Sequence, residues 1–290
     1  MRNLRILHNG HVCKRKAHWF LKIYPDADVI GEVIGPQNDF KGIQKIRETV
    51  PPEVADALHA IPRFFPALIR TLAWEEVVFI SDMPGKNRSE GLGGGGRASQ
   101  KLVDLIGSAE KSVTVQSPYL VMPEGGLELF RKLCKRGVTI RISTNSLSST
   151  DNLQAFSGYA KQRSDILETG VDVYEYRPDP MVQKELIERY ERISGNAPVF
   201  AIHAKTMIVD GETLFVGTFN LDPRSLNLNT EVGILVRNRQ LAGQVEAFIE
   251  KDMAPENSWD ARADQPDRFA PWVKRVKVFF WKLLPLEPIL

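Results

Sequence analysis

Cysteine is nearly absent: the 290 residues contain two, Cys13 and Cys134. Their separation matches neither a metal site nor a redox pair, and nothing in the chain calls for an oxidising compartment. Cys134 stands in an apolar helical pattern and reads as a small core residue. Long hydrophobic runs are also missing. None reaches the length that spans a bilayer, and the N-terminus lacks the apolar region of a secretory signal. Charge of one sign is not in excess. The formal charge is +2, which argues neither for nor against a polyanionic partner, and no basic stripe suits a nucleic-acid backbone. The glycine run Gly93–Gly96 is not followed by Gly-Lys-[Ser/Thr], so it is no phosphate-binding fingerprint; it reads as a connector, with a lid role open. Histidine is scarce as well, with five in the chain. Two positions after His8, His11, His18 and His59 stand Gly10, Cys13, Phe20 and Ile61. Only His203 is followed at that spacing by a lysine. No metal-ligand cluster is visible, and no cofactor is expected.

What is present describes a globular chain, with 43% hydrophobic and 26% charged residues. Residues 1–75 are poorly defined: a basic start, then short apolar stretches broken by Pro62 and Pro66. From residue 76 to 250 strands alternate with helices. Val77–Ser81, Ser112–Ser117, Val138–Ile142 and Val171–Tyr176 read as strands. Ser99–Ala109, Gly126–Lys135 and Thr150–Glu168 read as helices, with Gly137 and Gly170 as stops. This alternation predicts an α/β fold, a mixed and mostly parallel sheet flanked by helices on both faces. Tyr119 and Asn145 follow strands, where such sheets place ligand sites. Asn145 reads equally as a binding residue or a turn residue. A charged helix over Met181–Arg192 reads as a solvated face, and Gln240–Glu250 as a closing helix.

The densest chemistry lies between Val199 and Val236. Two runs rich in β-branched residues, Val199–Val209 and Thr213–Phe219, flank Asp210-Gly211, a strong hairpin signal. In such a strand His203 and Lys205 share a face, as do Thr218 and Asn220 on the return. Turned to one cleft, an imidazole, an ammonium, a hydroxyl and an amide suit a phosphoryl group. The lysine and amide hold its oxygens while the imidazole attacks phosphorus or moves a proton. Glu231, on a third strand, is placed to accept the second N–H of His203.

The whole string HAKTMIVDGETLFVGTFNLDPRSLNLNTEVGILV resembles the second H-x-K-x4-D motif of the phospholipase D superfamily, with its trailing G-[ST]-x-N. Asn220-Leu-Asp-Pro-Arg-Ser225 and Asn229-Thr-Glu231 narrow the resemblance to the bacterial cardiolipin synthases. It extends upstream through Ser117-Pro-Tyr119, Thr144–Leu147 and Gly170–Pro178. The resemblance implies two histidines from two equivalent motifs. One forms a phosphohistidine; the other protonates the leaving alcohol and then deprotonates the acceptor. The lysines and asparagines neutralise the phosphoryl oxygens without a metal. It assigns His203, Lys205, Asn220 and Glu231 to catalysis. Thr218, Asp210, Arg224, Ser225, Tyr119 and Asn145 stand as supporting or substrate-binding residues, with Asp210 holding the turn.

This chain carries one such set. A two-fold homodimer, a partner chain bearing the first motif, or an inactive half are the three outcomes. The expected substrate is a phospholipid resembling phosphatidylglycerol. A dimeric nuclease or phosphodiesterase and a silent membrane-binding half are the alternatives. Residues 251–290 read as a polar, proline-bearing linker over 252–270, then a basic amphipathic tail, Trp272–Leu284. Its Lys274, Arg275, Lys277 and Lys282 interleave with Trp and Phe. That pattern fits a helix lying in a membrane interface, the alternative being a helix packed on the domain by its apolar side. Together these place the protein peripherally at the cytoplasmic membrane.

Overall fold

The computed structural model describes residues 75–83, 85–86, 95–123, 125–195 and 197–284. The readings of residues 1–74, with their four histidines and Cys13, and of Gly93 and Gly94 lie outside these. Eight strands form one sheet: β1 (Val77–Ser81), β2 (Ser112–Gln116), β3 (Thr139–Asn145), β4 (Asp172–Tyr176), β5 (Thr206–Val209), β6 (Thr213–Gly217), β7 (Val232–Arg237) and β8 (Ser258–Asp260). Their order is β1-β7-β6-β5-β2-β3-β4-β8. The sheet is mixed and flanked by helices. Its parallel part is confined to β2-β3-β4, however, and every other pairing is antiparallel. The expectation of a mostly parallel sheet therefore holds only where a helix separates consecutive strands. The Asp-Gly turn makes β5–β6 a hairpin, and the other antiparallel pairs join strands distant in sequence or parted by the loop and helical turn before β7.

Helices α1 (Arg97–Gly107) and α2 (Gly126–Lys135) bury one stripe each, while α3 (Leu153–Glu168) is buried all round over Ala155–Tyr159 and on one side at Ile166. In α1 this stripe is Ala98, Leu102 and Ile106, four residues apart. They pack with β-strand residues such as Val113, Val115, Ile140, Ile142 and Phe215 in the main core. The start of α3 is set by Asn152, whose side chain accepts from the N–H groups of Gln154 and Ala155. This is why the helix begins three residues later than the apolar pattern suggests. Helix α4 (Lys184–Ser194) follows a 3-10 turn and ends at Gly195, whose φ of 73° is left-handed. Helix α5 (Pro223–Asn227) is a single turn capped by Asp222. Helix α6 (Arg239–Met253) covers the opposite sheet face, where Ala242, Ile249 and Met253 meet Ile208 and Leu214.

Residues 252–270 are not a linker. Strand β8 pairs with β4, and beyond it the Phe269 ring stacks on Trp259 at 5.0 Å. Arg163 of α3 bonds Asp267 at 2.9 Å while reaching the buried carboxylate of Glu175 at 3.1 Å. This polar stretch carried no strand signal because it supplies three residues to a ladder and holds the rest by side chains. Helix α7 (Trp272–Trp281) then docks against α3. Val278 is buried, and Lys274 Nζ donates to the carbonyls of Ser148 and Thr150 at 2.8 and 3.0 Å. The face turned away from the domain carries Trp272, Val273, Val276, Phe279 and Phe280, continued by Leu283 and Leu284, all exposed. No helix among the described residues is long and apolar enough to cross a membrane.

Candidate active site

The site lies where β5, β6 and β7 emerge beside the ends of β2 and β3. Its first part is the segment carrying His203 and Lys205. The strand expected from Val199 begins only at Thr206. Upstream, the backbone is taken by other partners: Phe200 N–H donates to Pro178 O at 2.9 Å. Ile202 is gripped by Asn145, whose Oδ1 accepts the Ile202 N–H at 2.8 Å and whose Nδ2 donates to the Ile202 carbonyl at 3.0 Å. Asn145, 2% exposed, thus neither faces a ligand nor makes a simple turn. It fixes the peptide immediately before His203, whose side chain is left exposed. Lys205 Nζ donates to the His203 carbonyl at 3.1 Å. Burial lowers the Lys205 pKa, against the carboxylates of Glu231, Asp222 and Asp151, which favour its charged form.

The second part is Gly217–Ser225. The backbone N–H of Gly217 donates to Lys205 O at 3.1 Å, tying the two parts together. Gly217 and its cross-strand neighbour Gly233 lie under the Phe215 ring. A Cβ on Gly217 would stand 2.6 Å from that ring and 2.5 Å from the Val232 carbonyl. This is the physical reason for glycine in the trailing G-[ST]-x-N. Beyond it, Ser225 Oγ accepts the Asn220 N–H at 3.1 Å, and Ser117 Oγ accepts the Leu221 N–H at 3.1 Å. The Asn220 side chain bonds the carboxylate of Asp222. Its Oδ1 is buried with no hydrogen-bond partner among the described residues. An orphan acceptor of this kind costs about 1–3 kcal/mol. Asp222 caps α5 through Ser225 N–H at 2.6 Å, and burial pushes its pKa up. Arg224 is exposed on that turn.

The third part is Glu231. Its carboxylate accepts the hydroxyl of Thr218. The expected hydrogen bond from His203 to Glu231 is not among those the described residues make; the nearer hydroxyl on the neighbouring strand takes that acceptor. Thr218 is thereby committed to β7, since its Oγ1 also accepts the Val232 N–H at 3.0 Å. Glu231 is held by its own backbone. The Asp82 carboxylate accepts the Glu231 N–H at 3.0 Å, and the Asp82 N–H donates to the Glu231 carbonyl at 2.8 Å. Asp82 further accepts the Ala98 N–H and the buried ammonium of Lys86, both at 2.8 Å. Lys86 in turn donates to Ser99 Oγ and to the Ser225 carbonyl. Sequence reasoning missed Asp82, Lys86 and Ser99. Asp82 and Lys86 lie in the loop before the first helix and Ser99 at that helix's expected start, and no local pattern announces a buried lysine.

Two expected supporters lie apart from one another. Tyr119 stands at the cleft: its hydroxyl donates to Asp151 at 3.2 Å. Burial first, and then the Asp151 charge, push its pKa up to about 12. Asp210 sits at the far end of β5, in the hairpin turn with φ 55°. Its carboxylate accepts the N–H groups of Glu110, Lys111 and Ser112 at 2.7–3.1 Å and fastens the turn to the start of β2. Among the described residues no His, Cys, Asp and Glu group could hold a metal ion.

An exposed imidazole and a half-buried ammonium beside a held carboxylate, on a mixed sheet between helix layers, define a phospholipase D-like domain. The family described as "Cardiolipin synthase, PLD-like domain" matches residues 102–253, and the chain belongs to it. Cardiolipin synthase C of Escherichia coli is 36% identical over 208 residues, covering 70% of this chain and 42% of that protein. Cardiolipin synthase A of Pseudomonas aeruginosa is 30% identical over 152 residues, covering 52% of this chain and 26% of that protein. The chain therefore spans less than half the length of these relatives. Among solved structures, phosphatidylserine synthase of Haemophilus influenzae superposes with a TM-score of 0.48 at 15% identity, over 83% of this chain and 56% of that one.

Proposed function

We propose that the domain transfers phosphatidyl groups in the manner of a cardiolipin synthase, with the second catalytic set supplied by another chain. The observation that carries this reading is the exposed His203 beside Lys205, set on a peptide fixed by Asn145. An imidazole nitrogen of His203 attacks phosphorus. The bond from phosphorus to the leaving alcohol breaks, and that alcohol takes a proton from the twin imidazole. The acceptor alcohol then gives its proton to the twin and attacks phosphorus, breaking the P–N bond and freeing His203. Lys205 offsets the negative charge on the phosphoryl oxygens throughout. Asn220 works beside it, its side-chain amide directed to the same phosphoryl oxygens.

The substrate is a phospholipid of the phosphatidylglycerol kind, reached from a membrane surface on which the chain lies peripherally. The outward apolar face of α7, with Lys and Arg beside it, supports that placement. The twin set comes from a second copy or from a partner bearing the first motif. The test is cardiolipin formation on phosphatidylglycerol vesicles, read alongside mass by light scattering. His203→Ala should lower the rate on the order of a thousandfold or more. Cleavage of single-stranded DNA without lipid product would replace this reading with a nuclease. Vesicle binding without any product would leave a silent half, and an active monomer would remove the need for a twin.

A further inference from the structure

One buried cation, Lys86, takes no part in the chemistry proposed above. Its side chain and that of its partner Asp82 are 2% and 0% exposed. Taking two charges out of water is costly, and an apolar pair of similar volume is often as stable. What an ammonium adds is direction. Lys86 Nζ donates to acceptors on three segments: Asp82 Oδ2 beyond β1 at 2.8 Å, Ser99 Oγ of α1 at 2.9 Å and the Ser225 carbonyl of α5 at 2.8 Å. Asp82 extends the set to the start of β7, since its Oδ2 accepts the Glu231 N–H and its own N–H donates to the Glu231 carbonyl. Two further bonds tie the same segments. Ser99 Oγ donates to the Leu226 carbonyl at 2.8 Å, and the Gly95 N–H donates to Asn227 Oδ1 at 3.0 Å. Gly96 lets the chain close over the pair: a Cβ there would stand 2.2 Å from Asp82 Oδ1 and 2.7 Å from Lys86 Cε.

We infer that Asp82 and Lys86 are positioning residues, which hold Asn220 and Glu231 in one fixed relation across the site. The route to each is short. Lys86 holds the Ser225 carbonyl, and Ser225 Oγ accepts the Asn220 N–H at 3.1 Å. Asp82 holds both backbone groups of Glu231, whose carboxylate takes the Thr218 hydroxyl. An apolar pair would fill the same space yet leave the α5 turn and the start of β7 free to slide against each other, because apolar contact is non-directional. The pair acts through Asn220 and Glu231, and so on turnover and not on capture of the lipid. The effect on turnover rests on the transfer reading above; the hold on the two backbones stands without it.

The experiment compares the full chain carrying Asp82→Asn with Lys86→Met against wild type on phosphatidylglycerol vesicles, with amide hydrogen exchange read alongside by mass spectrometry. The double substitution removes the ammonium's donors and leaves no buried charge alone. At a temperature where circular dichroism shows both proteins folded, kcat per folded molecule should fall at least about tenfold, with KM within about twofold of wild type. A pair that served only to keep the chain folded would change the folded fraction and leave both constants of the folded molecules as they were. Exchange over residues 218–231 should quicken at least about tenfold, while β3 and β4 keep wild-type protection. Ser99→Ala removes one acceptor and keeps the pair; it should give the same pattern in weaker form, and it decides the matter should the double variant not fold. Wild-type kcat, or exchange that quickens evenly across the sheet, overturns the inference. If the wild-type chain makes no lipid product, the transfer reading fails and exchange alone decides. Selective quickening over 218–231 then retains the hold on Asn220 and Glu231, and unchanged exchange removes it.

Discussion

Replacing Asn145 by alanine removes both partners of the Ile202 peptide and leaves a buried N–H and carbonyl unpaired. The expected cost is about 1–3 kcal/mol, with a further loss of turnover as His203 drifts. The informative readout is the split between the two. Activity per folded molecule should fall at least about tenfold at a temperature where circular dichroism shows the chain folded. Asp210 invites a different measurement. Burial raises its pKa, but the N–H groups of Ser112, Glu110 and Lys111 outweigh this and hold it below the usual carboxylate range. Its contribution is therefore present above the unfolded carboxylate pKa, near ~3.9, and is lost as pH falls through the lower folded value. Asp210→Asn should lose about 1 kcal/mol at pH 7 by urea unfolding, at the low end because the turn is near the surface, and the gap to wild type should close in acid. The candidate reactive groups His203 and Lys205 stand two positions apart, so a local motif was enough to single them out. Partners across the fold were harder to read: Asn145 was singled out but not its hold on Ile202, 57 positions away, and Asp82, 149 positions from Glu231, was missed. A buried pair at such a distance leaves no periodic trace.

At the scale of elements, the β5–β6 hairpin was legible from Asp210-Gly211, whereas its entering strand proved shorter than its composition suggested. β-propensity describes a fit to a pleated surface, and here side-chain capture of the backbone overrode it. Gly217 and Gly233 show how the hairpin passes order to the site. Gly217→Ala should destabilise the chain by about 1–3 kcal/mol, because the new methyl group meets both a ring and a carbonyl that β7 fixes. Relief by a smaller residue at Phe215 in a double variant would identify the ring as the cause; no relief would leave the backbone contact responsible. Strand β8 was hidden altogether. Three residues with one apolar side chain, set in a polar stretch, make a strand only because β4 offers an edge to pair with.

For the molecule as a whole, α7 joins two surfaces that sequence patterning alone could not orient. An amphipathic stretch shows that it has two faces, not which one turns inward. Here the inward contact is narrow, made by Val278 and the Lys274 ammonium, and the broad aromatic face is turned out. Phe279→Ser with Phe280→Ser should abolish flotation with anionic vesicles and leave the melting temperature within a degree or two of wild type, since both rings are already exposed. A large drop in melting temperature would mean that the rings pack elsewhere in the protein. The geometry of α7 also bears on how turnover would be limited. On the proposed membrane contact, a helix docked on α3 would keep the candidate site at a constant height above the bilayer. Encounters then become a search in two dimensions, governed by the mole fraction of lipid in the leaflet and not by its bulk concentration. Diluting the reacting lipid with an inert one, at constant total lipid, would slow such a protein in proportion.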